Sequence, residues 1–145
     1  MIEKKIIINN EESKFIYINN ILKPVEIVKL EKYLDSLKFK GGKIAKKNIS
    51  RLQLWFHDKD KYFCDKWLTK YPRWISNTYS QDLLFIQDKI NKLTRKILNN
   101  DKIIFNSCLI NKYRHGNDCI KPHRDTPLSF GNYPVISGLS VKSKR

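Results

Sequence analysis

The sequence is poor in cysteine and contains no long apolar run. Its three cysteines, at positions 64, 108 and 119 of 145, include no Cys-x-x-Cys pair. This spacing predicts buried free thiols and excludes a disulfide framework or a zinc knuckle. No apolar run approaches the ~18 residues of a transmembrane helix, and the N-terminal run is too short for a secretory signal. We therefore expect an intracellular protein, cytoplasmic or nuclear, that is not secreted and has no membrane partner.

Acidic residues are also scarce, which makes the chain strongly basic. The 14 Asp and Glu residues stand against 29 Lys and Arg, and the formal net charge is +15. A surplus of this size favours polyanionic partners, and nucleic acid in particular. Hydrophobic residues make up 41% of the chain, enough for the core of one domain over residues 1–145, and their periodicity excludes general disorder.

The hydrophobic pattern predicts an α+β protein with a mostly antiparallel sheet. Helical spacing of apolar residues predicts one helix that begins at Pro24 and a second over residues 80–98. Alternating or apolar runs predict strands at 6–8, 15–18, 51–56, 103–113, 119–125 and 135–141. Residues 41–48 form a basic, glycine-containing loop in this interpretation.

The chemistry-bearing residues concentrate between positions 111 and 125. His123 and Asp125 are two residues apart, so on a strand both side chains leave the same face. An imidazole and a carboxylate on one face are two of the three ligands in the facial triad that holds non-haem Fe(II). A His-x-Asp pair alone is common by chance, and an ordinary surface His–Asp pair is its simpler interpretation.

Asn111 and Tyr113 show the same two-residue spacing on the preceding strand. A tight turn would return the chain so that these side chains lie near His123. An amide and a phenol beside a metal can hydrogen-bond the carboxylate of a co-substrate. The alternative is that they form the ordinary polar face of an edge strand.

Together these segments resemble the AlkB-like Fe(II)/2-oxoglutarate dioxygenases that repair alkylated nucleobases. The resemblance covers most of the chain in the family's order, and Arg51-Leu-Gln53-Leu-Trp55-Phe56 resembles the family's nucleotide-lid strand. The other matching segments are Phe105-Asn106, Leu109 to Tyr113, Gly116-Asn-Asp118, His123-Arg-Asp125 and Pro134 to Val141.

The resemblance implies a fold, an activity and a set of site residues. The fold would be a double-stranded β-helix, or jelly roll, with N-terminal helices packed on the sheet. The activity would be oxidative dealkylation of alkylated bases in DNA or RNA with Fe(II) and 2-oxoglutarate. His123 and Asp125 would bind iron, and Asn111 and Tyr113 would contact 2-oxoglutarate. The residues implied to lie near the flipped base are Arg51, Gln53, Trp55 and Phe56.

Two elements of the family pattern have no counterpart in this chain. The family has a second histidine ligand and a 2-oxoglutarate-binding arginine after the His-x-Asp motif. No histidine follows Asp125, and Arg145 comes too soon after it to be that arginine. His57 and His115 are interpreted as exposed, not as substitutes. We therefore expect a C-terminally truncated domain whose distal strands are missing, with a second polypeptide as one way to complete it.

Three functions follow from this mixture of matches and gaps, and whether the chain is an active enzyme stays open. The first is the dioxygenase itself, impaired by the missing ligand. The second is a non-catalytic, basic nucleic-acid-binding remnant of such an enzyme. The third is a dioxygenase that acts on protein or lipid, which the lid-like segment at 51–56 disfavours.

Overall fold

The computed structural model describes residues 4–9, 13–44, 46–64, 66 and 71–142. The chain divides into two compact units, one over 37–139 and the other from the residues on either side of that range. Both contain helix and strand, so the predicted α+β class is confirmed. No helix among the described residues is long and apolar enough to cross a membrane. The prediction of a single domain over 1–145 stays a prediction.

The first unit consists of a hairpin and a helix. Strand β1 (Lys4–Asn9) pairs antiparallel with β2 (Lys14–Ile18). Helix α1 (Pro24–Ser36) begins at a proline. Proline has no backbone N–H, and an N–H in the first turn would have no acceptor within the helix. The Glu26 carboxylate accepts a hydrogen bond from the backbone N–H of Lys23 at 2.6 Å, which caps the helix start. The predictions of both strands and of this helix are confirmed.

The second unit is organised around one central strand. Strands β3 (Lys43–Ile44) and β4 (Lys47–Asn48) form a short hairpin. Strand β5 (Leu52–His57) lies between β6 (Ser76–Asn77), which is parallel to it, and β7 (Ser107–Lys112), which is antiparallel. Leu54, Trp55 and Phe56 are consecutive and all buried, because both faces of a central strand are covered.

An aromatic core covers one face of β5. Trp55, Phe63 and Trp74 form its centre together with Cys64. The rings of Phe63 and Trp74 stack with centroids 4.2 Å apart. Trp74 belongs to a short 3-10 helix, Pro72–Trp74, that packs beside β5. Phe63 and Trp74 join this cluster from separate points between β5 and β6, which agrees with the lack of a clear periodicity in the sequence there.

Helix α2 (Gln81–Leu98) matches its prediction closely, since its end signals are local. The Ser80 hydroxyl accepts a hydrogen bond from the backbone N–H of Leu83, and Asn99 ends the helix in the left-handed conformation. The Asn91 side chain bonds both the N–H and the carbonyl of Phe105. These bonds connect the helix to the segment that leads into β7.

The two strands predicted at 119–125 and 135–141 are not formed, and those predictions are wrong. Both segments are irregular and largely exposed, and only the short helix α3 (Pro127–Phe130) separates them. Pro122 removes a donor from any ladder at 119–125. No neighbouring strand pairs with these segments in the described part of the chain. The predicted strand at 103–113 is shorter than expected, because β7 begins only at Ser107.

The three cysteines are free, but they are not all buried as predicted. Cys64 lies in the aromatic core, Cys108 is partly buried on β7, and Cys119 is exposed. Cys119 follows the turn after β7 in the irregular segment, where no strand forms to cover it. The expectation of buried thiols is therefore correct for Cys64 and wrong for Cys119.

Candidate functional site

The register of β5 and β7 brings two separate sequence motifs together. Gln53 lies directly opposite Asn111 in the antiparallel pair. The side-chain oxygen of Asn111, Oδ1, accepts a hydrogen bond from Arg51 Nε at 3.0 Å and another from Gln53 Nε2 at 2.8 Å. The lid-like segment and the Asn-x-Tyr segment are thus joined by direct hydrogen bonds, between residues that the resemblance assigns to substrate and to co-substrate.

The donors around Asn111 determine which way its amide faces. An arginine Nε–H can only donate, so the Asn111 atom that faces Arg51 is the oxygen. Gln53 must then present its nitrogen to the same oxygen. The Nδ2 group of Asn111 has no hydrogen bond within the described part of the chain. Two N–H donors of Asn111 are therefore available to an incoming carboxylate or carbonyl oxygen.

Strand alternation separates the other two residues of the lid-like segment. Trp55 shares a face of β5 with Gln53, whereas Phe56 is on the opposite face. There the ring centroids of Phe56 and Tyr79 are 5.7 Å apart. Trp55 is 3% exposed and Phe56 is 2% exposed. The Trp55 indole N–H donates to the carbonyl of Lys61. Both rings are core residues here, and neither has an exposed face on which a base could stack.

A buried carboxylate closes the turn that follows β7. Asp118 is 1% exposed, and it accepts hydrogen bonds from the backbone N–H, Nε and Nη2 of Arg114. These bonds lower the pKa of Asp118 to about 2. Asp118 lies in a segment that carries the resemblance, but the sequence predicted no role for it. The Arg-x-x-x-Asp spacing, which lets a side chain reach back across a turn, was the available signal.

His123 and Asp125 lie near each other in the irregular segment after this turn. His123 Nε2 is 3.5 Å from Asp125 Oδ1, and both side chains are exposed. His123 Nδ1 is 2.9 Å from the carbonyl of Lys121. The carbonyl oxygen can only accept, so this contact is a hydrogen bond when Nδ1 carries a proton. The imidazole and the carboxylate are two potential metal ligands side by side, in a segment that forms no strand.

The described residues do not supply a complete iron site. Fe(II) in a facial triad needs three protein ligands, and His123 and Asp125 account for two. No group of three or more His, Cys, Asp or Glu side chains that could hold a metal occurs among the described residues. The residues present therefore fit two adjacent positions of a metal and not the whole ligand set.

The other two histidines lie elsewhere. His115 is exposed, 3.7 Å from the Asp118 carboxylate, as expected for a turn residue. The His57 side chain is only 11% exposed, which is contrary to the prediction of a solvated loop histidine. It ends β5, where its Nδ1 accepts a hydrogen bond from the backbone N–H of Lys59.

Tyr113 directly follows β7 and is partly buried.

Comparisons with known proteins give no relative for this chain. No protein family, no curated protein and no solved structure matches it.

Proposed function

We propose that this chain is an AlkB-like protein that acts on alkylated bases in DNA or RNA, with β5, β6 and β7 as part of a jelly roll. The observation that supports this most directly is the hydrogen-bonded cluster of Arg51, Gln53 and Asn111. Two motifs that the resemblance assigns to substrate and co-substrate are neighbours on one sheet face. The net charge of +15 supports a polyanionic substrate.

In this proposal each group has a separate task. Asn111 presents its free Nδ2 donors to a carboxylate of 2-oxoglutarate, and Arg51 holds the Asn111 oxygen so that the donors keep one direction. Tyr113 is proposed as the second contact to 2-oxoglutarate, and His123 and Asp125 as iron ligands. Fe(II) with 2-oxoglutarate and O2 would supply the oxidation of the N-alkyl group. A third protein ligand would have to come from residues outside those described or from another chain.

A second candidate, a non-catalytic nucleic-acid-binding protein, is favoured by one observation. Only two metal ligands lie together among the described residues. A basic chain with an incomplete metal site would still bind phosphates, and its affinity would fall steeply with salt.

A pair of assays on the same preparation separates the two candidates. The first measures 2-oxoglutarate consumption with Fe(II) and a methylated single-stranded oligonucleotide, and the second measures binding of that oligonucleotide by fluorescence anisotropy. The test variants are Asp125→Ala and His123→Ala, and the controls are Asp101→Asn and His115→Ala, which change exposed residues of the same types.

The three outcomes point in different directions. Turnover that Asp125→Ala and His123→Ala abolish, with binding unchanged and the controls active, supports the dioxygenase. Salt-dependent binding without turnover supports the binding protein. Absence of both turnover and binding contradicts both candidates.

A further inference from the structure

A basic cleft opens in the second unit beside the candidate site, because the backbone of its lining residue Lys40 exchanges two hydrogen bonds with the backbone of Gln53. It has a volume of about 590 Å³ and is lined by the loop that carries Gly41 and Gly42 and by the start of the 3-10 helix. Four of its lining residues are cationic, namely Lys40, Lys43, Lys46 and Arg73, and its lining as described includes no acidic residue.

Arg73 is the unusual member of this set because it is buried. It is 5% exposed, and its guanidinium carbon is 4.7 Å from the ring centroid of Tyr71 and 4.8 Å from that of Trp74. These aromatic contacts hold the guanidinium plane in place. Burial lowers the pKa of Arg73 from its ordinary value, since desolvation disfavours a cation.

Two nitrogen atoms of the Arg73 guanidinium group have a long hydrogen bond or none. Its Nη1 lies at 3.5 Å from the carbonyl of Lys43, a long hydrogen bond, and its Nε has no partner among the described residues. No ion pair joins Arg73 to a carboxylate within that part of the chain. Buried arginines are usually paired, because an uncompensated buried charge is costly. A guanidinium that lines an open, basic cleft, with no carboxylate partner and one buried donor unpaired among the described residues, fits a bound anion.

Gly42 lets the guanidinium lie against the loop. A Cβ atom at this position would fall 2.6 Å from Arg73 Nη1 and 2.9 Å from its Cδ. An alanine at position 42 would therefore displace the arginine side chain. At Gly41 the nearest atom to an added Cβ is Leu52 Cδ2, at an ordinary contact distance of 3.5 Å. The two neighbouring glycines thus differ in their effect on Arg73.

We propose that this cleft is a phosphate-binding site that takes backbone phosphates of a nucleic-acid strand, with Arg73 as its anchor and Lys40, Lys43 and Lys46 around it. The identity of the strand rests on the proposed function. The chemistry of the cleft rests on its own residues: a fixed guanidinium suits phosphate oxygens, and flexible lysines add charge.

Charge removal with a matched control tests the proposal. The triple variant Lys40→Gln, Lys43→Gln, Lys46→Gln is compared with Lys89→Gln, Lys92→Gln, Lys96→Gln on α2, which loses the same charge outside the cleft. Binding of an unmodified single-stranded oligonucleotide is measured by anisotropy at several salt concentrations. The cleft variant should lose at least about tenfold in affinity, and its salt slope should fall by about two, while the control stays near wild type.

Two glycine variants that leave the net charge unchanged give a second test. Gly42→Ala should weaken oligonucleotide binding several-fold because it displaces Arg73, whereas Gly41→Ala should stay close to wild type. Thermal unfolding of each variant verifies that it folds. Titration of ¹⁵N-labelled protein with inorganic phosphate should shift the Gly42 amide and the Arg73 Nε–H resonances, and the oligonucleotide should shift the same resonances at lower concentration.

The outcomes separate this proposal from the proposed function. Equal losses in the two lysine triples, with wild-type protein binding the strand, would overturn the cleft and leave the proposed function intact. If the Gly42 and Arg73 resonances shift with inorganic phosphate but not with the oligonucleotide, the cleft takes a small phosphate ligand and the proposal is overturned. A wild-type protein that binds no oligonucleotide contradicts the proposed function as well.

Discussion

The carboxylate of Asp118 receives three hydrogen bonds from one residue, Arg114. The backbone N–H donates at 2.8 Å, Nε at 2.9 Å and Nη2 at 3.0 Å. The backbone N–H of Asp118 in turn donates to the carbonyl of His115. This pair of an exposed arginine and a buried carboxylate closes the turn between β7 and the segment that carries His123.

We expect Asp118 to make the stability of the protein sensitive to acid. Its pKa is about 2 in the folded protein, below the ordinary value of ~3.9 in an unfolded chain. A lowered pKa means that the stabilisation is complete above pH ~4 and is lost as the pH falls towards 2. Urea unfolding at several pH values between 5 and 2 measures this loss.

The variant Asp118→Asn should show a smaller pH dependence in that range, because it has no carboxylate to protonate. Asp101→Asn, at an exposed turn, serves as the matched control and should keep the wild-type pH profile. If Asp118→Asn keeps the full acid dependence, the Arg114–Asp118 pair does not contribute it.

Replacing Asn111 should destabilise the protein because Gln53, its partner on β5, would lose a hydrogen bond. Asn111→Ala removes the acceptor for Gln53 Nε2, and Gln53 is 1% exposed. A buried donor without an acceptor costs about 1–3 kcal/mol. Urea unfolding should show a loss of this size. Asn111→Asp keeps an oxygen towards Arg51 and Gln53 and should retain most of the stability, so equal losses in the two variants would contradict the hydrogen-bond explanation.

The aromatic side chains of β5 and α2 should differ in their contribution to stability. Phe56→Ala should lower the free energy of unfolding by about 3–5 kcal/mol, because the side chain is 2% exposed and its loss leaves a cavity. Phe85→Ala, where the side chain is 51% exposed, should cost about 0.5 kcal/mol. Thermal unfolding by circular dichroism measures both, and similar losses would be inconsistent with Phe56 as a core residue.

The cysteines should differ in reactivity. Burial raises the pKa of Cys108 to about 11, so at pH 8 its thiolate fraction should be roughly 100-fold below that of an ordinary thiol. Cys119 is exposed and should be alkylated first by iodoacetamide. Peptide mass spectrometry over time measures each site, and guanidinium-unfolded protein provides the reference rates. Equal rates in the folded protein would be incompatible with the burial of Cys108.

The two long helices and the main strands could be predicted because their determinants are local. Pro24 and Ser80 mark helix starts and Asn99 a helix end through backbone geometry and nearby hydrogen bonds. Apolar spacing in between follows from the helical repeat. The strands predicted at 119–125 and 135–141 failed because a strand needs a partner, and local sequence does not say whether one is present.

The sequence by itself determined the charge, the α+β class and the residue types that a site could use. Tertiary structure decided which of those residues meet. Strand register placed Asn111 opposite Gln53, alternation put Trp55 and Phe56 on opposite faces, and packing buried both rings. It also buried Arg73 between Tyr71 and Trp74 beside Gly42. The physical reason is that burial and pairing depend on contacts between distant segments, which spacing along the chain does not encode.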